Sequence, residues 1–246
     1  MRLFLLFFLV LLACPACQKE AAPPPTTTNP VVPPVTNPPH LERIDILALG
    51  DSYTKGQGVT WAKNFPNQLT DALKSEQYDV AGVYVIAQTG WRTDQLKSSI
   101  ASQANVIGDS TFSLVTLCIG VNNQYQNADF EIYKKEFEQL LQTAIERAGG
   151  RTDRVFVLSI PDWAYTTYGQ NYGNPATISQ EIDQYNAANY EIAKGYEVNY
   201  VQVTDISRQG LARPEFVAGD GLHPSALQYT EWLKIMMPQV RDVLKK

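Results

Sequence analysis

Three side chains far apart in the sequence have the types that acyl transfer needs. Ser52 stands in Gly50-Asp51-Ser52, directly after an apolar run, and His223 stands in Asp220-Gly221-Leu222-His223-Pro224 near the other end of the chain. A serine hydroxyl is a weak nucleophile until an adjacent base takes its proton, and that base needs an acid to orient it. Asp220, three residues before His223, is close enough on a loop to accept the imidazole Nδ1 proton, and Gly221 and Pro224 make that loop turn. Gly-Asp-Ser alone is a common tripeptide. Joined to Asp-x-x-His near the carboxyl terminus, it defines a candidate relay of Ser52, His223 and Asp220. Acyl transfer also passes through a tetrahedral oxyanion, which needs donors fixed in advance. Thr89-Gly90-Trp91 and Gly120-Val121-Asn122-Asn123 supply two candidates, the Gly90 backbone N–H and the Asn122 side-chain amide. Singly, Gly90 reads as a turn and Asn122 as a loop cap; at successive strand ends they read as donors.

These residues need a scaffold that brings them to one rim. Short apolar runs at Ile44–Leu49, Val80–Ala87, Phe112–Ile119, Val155–Ile160 and Tyr200–Thr204 predict five strands. Between them, Asp129–Ala148 places Tyr133, Phe137, Leu140, Leu141, Ala144 and Ile145 on one helical face. Thr177 with Gln180 predicts a capping box opening a helix that ends at Gly195. Ser225–Leu244 predicts a last helix kinked or broken at Pro238, and weaker helical patterns cover Phe65–Leu73 and Thr93–Ala104. Strands alternating with helices predict a single α/β domain, a flavodoxin-like three-layer α/β/α architecture around a parallel sheet of about five strands. In such sheets ligands bind beyond the carboxyl ends of the strands. Ser52, Gly90 and Asn122 each follow a predicted strand.

The first forty residues read differently. They hold nine of the fifteen prolines and three charges, Arg2, Lys19 and Glu20. The apolar run Leu3–Ala13 is shorter than the roughly 20 residues that span a membrane and suits the core of an export signal. It ends in Leu11-Leu12-Ala13-Cys14, which resembles a bacterial lipobox, with Cys14 the expected lipidation site and Cys17 a second option. The expected division is a signal and lipobox over residues 1–17, a Pro/Thr-rich tether over 18–40 ending in a solvated His40, and a domain over 41–246. That domain carries 18 basic and 24 acidic side chains, a net charge of −6, which disfavours a nucleic-acid partner. Three cysteines, two of them before residue 18, exclude a disulfide scaffold, and Cys118 within an apolar strand reads as a small core residue.

Taken together, the four blocks resemble the SGNH, or GDSL, hydrolase superfamily. They arrive in family order from Gly50 to Pro224, with Tyr53 where leucine is often found and Asn123 where many relatives carry aspartate. The resemblance implies Ser52 as nucleophile, His223 as base and then acid, and Asp220 as its orienter. It also implies an oxyanion hole from the Ser52 and Gly90 N–H groups and the Asn122 side chain. Other motifs fail: Thr54 breaks Gly-x-Ser-x-Gly, Trp61 breaks a dinucleotide fingerprint, and no His/Cys cluster has metal-ligand spacing. The expected activity is a cofactor-free, metal-free serine esterase, lipid-anchored in a bacterial envelope at the periplasmic face or cell surface. Its substrate is a small-molecule or glycan ester, either an acylated carbohydrate or a lysophospholipid. An acyltransferase, or a glycan-binding surface lipoprotein without chemistry, is the alternative. The rim residues Tyr53, Trp61, Trp91, Tyr125, Trp163, Tyr165, Tyr168 and Tyr172 divide between packing and substrate contact, and Asp162–Pro175 reads as a long polar loop shaping a pocket.

Overall fold

Apolar runs too short for helices become strands when both faces can be covered. A computed structural model describes residues 43–103, 107–108, 110–172 and 174–245; the leader, the tether, Cys14 and Cys17 lie outside the described residues. Five strands form one sheet: β1 Ile44–Gly50, β2 Val80–Ala87, β3 Leu114–Cys118, β4 Val155–Leu158 and β5 Asn199–Val201. All pairings are parallel, in the order β2-β1-β3-β4-β5. The three central strands are buried almost throughout, as parallel strands covered on both faces must be. The edge strands β2 and β5 are half-buried. β5 is also shorter than its apolar run predicts. Its chain leaves the sheet after Val201, and the Ser159 hydroxyl instead accepts from the Val203 and Thr204 amides.

The longer helices are α2 Phe65–Ser75, α3 Thr93–Ser102, α5 Phe130–Arg147, α7 Pro175–Gly195 and α9 Ala226–Leu244, with short α1 Ser52–Lys55, α4 Val121–Tyr125, α6 Thr167–Asn171 and α8 Thr204–Ser207. α2 packs against α9, while α5 packs against both α3 and α7. In α5 the Asp129 carboxylate accepts from the Ile132 amide, and Tyr133, Phe137, Leu140, Leu141 and Ala144 are buried at helical spacing. Each large apolar side chain so buried contributes roughly 1.5–3 kcal/mol.

Three expectations are corrected. α7 starts earlier than its predicted Thr177 cap: Asn174 accepts from the Ala176 and Thr177 amides, and Pro175 opens the helix. α9 runs through Pro238 unbroken. Pro238 and Lys234, whose carbonyl loses its partner to the ring, are both exposed, while Met236, Met237 and Val240 stay buried, so the lost bond falls on the solvent side of the helix. Asp162–Pro175 is not an irregular loop. Its Trp163–Tyr165 turn is capped by Asp162 and α6 is capped by Thr166. A tyrosine-rich polar stretch has no apolar periodicity to betray such turns. Among the described residues no helix is long and apolar enough to cross a membrane.

Candidate active site

The strand order reverses direction between β1 and β3, and the crevice beyond the carboxyl ends of the strands there is where open α/β sheets bind ligands. Gly50 pairs with Ala87 on one side and Cys118 on the other, so β1, β2 and β3 end level. Their loops therefore deliver Ser52, Gly90 and Asn122 to one place, and all three line one cavity of about 180 Å³ with His223.

Ser52 begins α1 because Asp51 caps it, its carboxylate accepting from the Tyr53 amide at 2.9 Å. The Ser52 hydroxyl lies 3.1 Å from His223 Nε2, and His223 Nδ1 lies 2.7 Å from Asp220 Oδ2. An ionised carboxylate only accepts, so Nδ1 carries the proton and Nε2 is left as the acceptor for the serine O–H. Partial burial raises the Asp220 carboxyl, but the His223 and Leu222 amides and the imidazole outweigh it and hold the carboxyl below its ordinary value. Both amides donate to Oδ1 at 3.0 Å, leaving Oδ2 for the ring. Tyr53, in the position where leucine was expected, sets its buried ring edge-on to His223 at 5.9 Å.

The two remaining donor candidates are also placed. Gly90 has φ +86°, a left-handed conformation that suits glycine. Asn122 Nδ2 donates one hydrogen to the Trp91 carbonyl at 3.0 Å, which fixes the amide while its second N–H remains to serve the cavity. Asn123, the departure from the family pattern, is buried and works behind the site. Its Oδ1 accepts from the Thr93 amide and its Nδ2 donates to the Thr93 hydroxyl, clamping the loop that carries Gly90. Gly120 allows this turn: at φ +131° a Cβ would meet the Tyr133 hydroxyl and the Ile160 side chain.

Of the aromatic rim, Tyr53, Tyr125 and Trp163 line the cavity, and Tyr168 and Tyr172 stack behind them. Trp61 is exposed on its own 3₁₀ turn, Trp91 contributes its carbonyl, and Tyr165 packs on the core. Spacing gave no hint of the brace under this wall. Asp162, fully buried, accepts from Arg208 at 3.0 Å and from the Ser179 hydroxyl at 2.7 Å. Arg208 also reaches Asp183, so α7 and α8 hold the aromatic segment together. A strand-end aspartate before Trp163 was the one visible signal.

Asp51 is buried completely, with Oδ2 lacking a hydrogen-bond partner among the described residues. Burial pushes its carboxyl up from 3.8 to about 7, against smaller opposing effects of the Tyr53 and Gly120 amides. Because the folded pKa exceeds the unfolded one, this group favours the folded state fully below pH 3.8 and loses that contribution as pH rises through about 7. At about 1.4 kcal/mol per unit the loss is roughly 4 kcal/mol. Asp51→Asn keeps a capping oxygen and removes the titration. Urea unfolding should therefore find the variant more stable than wild type at pH 8, with the difference shrinking toward pH 4. A difference independent of pH would remove Asp51 as its source.

A serine hydroxyl, an imidazole and a carboxylate hydrogen-bonded in series at the switch point of a doubly wound parallel sheet have the geometry that acyl transfer needs. The chain belongs to the GDSL-like lipase/acylhydrolase family, whose model matches residues 48–230, and it is a carboxylic ester hydrolase of that kind. It is also similar to the uncharacterised protein YpmR of Bacillus subtilis (strain 168), at 24% identity over 83% of each chain. Among solved structures, TesA superposes with a TM-score of 0.62 at 17% identity, covering 81% of this chain and 99% of TesA. Axe2, an acetylxylan esterase from Geobacillus stearothermophilus, gives 0.61 at 16% over 80% of this chain and 94% of its own. A family 3 carbohydrate esterase from Clostridium thermocellum gives 0.62 at 20% over 83% and 98%. These likenesses establish the shared fold.

Proposed function

We propose that the protein hydrolyses short-chain acyl esters of carbohydrates through an acyl-serine intermediate. The observation that carries this reading is the continuous relay from Ser52 Oγ through His223 to Asp220, at 3.1 and 2.7 Å. Ser52 Oγ attacks the ester carbonyl while His223 Nε2 takes its proton. The tetrahedral oxyanion rests on the Ser52 and Gly90 N–H groups and the Asn122 amide. Collapse breaks the carbonyl carbon–alkoxide bond, with His223 returning its proton to the departing alcohol. Water, deprotonated by the same imidazole, then attacks the acyl-serine, releasing the carboxylic acid and regenerating Ser52.

The acyl group is small because the cavity at Ser52, about 180 Å³, falls below the roughly 300–1,000 Å³ that accommodates drug-sized ligands. A carbohydrate alcohol is favoured by the tyrosines beside that cavity, and two neighbours in fold are described as an acetylxylan esterase and a carbohydrate esterase. Export and anchoring through Cys14 complete the proposal and are supported by the leader and the Pro/Thr-rich tether. A series of p-nitrophenyl esters tests the acyl part: kcat/KM should be highest for acetate or propionate and fall at least tenfold by octanoate. A preference for octanoate would contradict it.

A further inference from the structure

A second cavity opens beside the catalytic one. It measures about 220 Å³ and has Tyr125 and Trp163 as walls in common with the cavity at Ser52. We propose that it is a subsite that seats a sugar ring of the alcohol portion of the ester, next to the ring that bears the scissile acyl group. The inference rests on the esterase reading and adds to it a place and a set of contacts.

Its shape comes from a stack of rings. Tyr172 lies against Tyr125 at 5.3 Å and 27°, and against Tyr168 at 5.5 Å and 14°. The Tyr125 and Tyr168 hydroxyls share a hydrogen bond at 2.9 Å, and hydrogen bonding to Tyr168 and Tyr172 raises the Tyr125 phenol above its ordinary pKa. Trp163 Nε1 donates to Gln124 Oε1 at 2.9 Å, and Gln124 Nε2 donates to Glu181 at 2.7 Å. The ring wall and the polar wall are thereby fixed to each other before any ligand arrives. Tyr172 is 47% exposed and Tyr125 37% exposed, so the stack still presents aromatic surface to solvent.

The opposite wall decides the ligand class. Asn127, Asn174, Thr177 and Glu181 line it, with Ile178 as the apolar exception. An alkyl chain would strip water from these groups and return no hydrogen bonds. A sugar ring matches both walls, its C–H face lying on aromatic rings and its hydroxyls meeting amides, a hydroxyl and a carboxylate. The subsite is also joined to the reacting groups, since the Tyr168 amide donates to the Gly221 carbonyl at 2.9 Å, within the loop between Asp220 and His223.

The test compares acetylated xylo-oligosaccharides with p-nitrophenyl acetate, which is too small to reach the second cavity. In Tyr172→Ala, the ratio of kcat/KM for the oligosaccharides to that for p-nitrophenyl acetate should fall at least tenfold. Tyr190→Ala, which removes an exposed tyrosine paired with Tyr200 elsewhere on α7, should leave the ratio unchanged. Independently, Ser52→Ala should bind the same oligosaccharides with saturable quenching of tryptophan fluorescence, and the added Tyr172→Ala change should abolish it. An unchanged ratio, or an equal loss on both substrates, overturns the subsite. So does hydrolysis of p-nitrophenyl acetate without binding or cleavage of the oligosaccharides, and that result leaves the esterase reading standing. Binding that depends on Tyr172 without hydrolysis of either substrate would sink the esterase reading and keep the subsite.

Discussion

Ser52→Ala should lower kcat for p-nitrophenyl acetate by about 10⁴–10⁶-fold, and His223→Ala should do nearly the same. The size follows from the relay. With Ser52 Oγ and His223 Nε2 3.1 Å apart, the base has no proton to take once the hydroxyl is gone, and the hydroxyl has no base once the ring is gone. The two losses are one loss. The double variant should therefore be scarcely slower than either single one, its residual rate coming from the oxyanion donors and binding alone. Steady-state kinetics on the four proteins checks this. Independent, multiplying losses would mean that serine and imidazole do not act as a unit. Ser52→Ala deletes only a hydroxyl, whose hydrogen bond runs to His223 rather than to the scaffold, so the fold should be kept despite the burial of Ser52.

Asn122→Ala should lower kcat by about 10²–10³-fold with little change in KM, the signature of a contact made chiefly in the transition state. Its amide is one of three proposed donors, and such a donor is worth about 2.7–4 kcal/mol where water is excluded. Asn122 Nδ2 also holds the Trp91 carbonyl at 3.0 Å, so its removal could act by loosening the Gly90 loop. Asn123→Ala separates these causes. It releases Thr93, at the end of the same loop, from its clamp while leaving the Asn122 amide present. The transition-state account expects the larger fall in kcat from Asn122→Ala; an equal fall in both would assign the effect to loop order.

The meeting of Ser52, Gly90, Asn122 and His223 was easier to read from sequence than the walls around them. Ser52, Gly90 and Asn122 follow apolar runs, and a parallel sheet places strand ends at one rim, so their convergence needed only the strand pattern. His223 was the one histidine of the expected domain and stood three residues from an aspartate. The wall was hidden because its parts meet only in three dimensions. Asp162, Ser179 and Arg208 come from three separate segments, and no periodicity links a strand-end aspartate to an arginine forty-six residues later. Tyr125 ends α4 and Tyr172 follows α6, and they meet as a stack because β3 and β4 run side by side in the sheet. Element ends were missed where local chemistry overrode pattern. Asn174 outcompeted Thr177 as a cap because Pro175 behind it already sets a helical φ, and Pro238 was tolerated because it faces solvent.

The central claim is that the hydroxyl of Ser52 becomes acylated during turnover. Acid quenching of the protein in the first turnovers with p-nitrophenyl acetate, followed by peptide mass spectrometry, tests it most directly, with Asn122→Ala used if the wild-type intermediate turns over too fast. The account predicts the mass of one acetyl group on the peptide containing Ser52, absent from Ser52→Ala. Hydrolysis that proceeds with that peptide unmodified in both proteins, or acetylation that persists in Ser52→Ala, would contradict it.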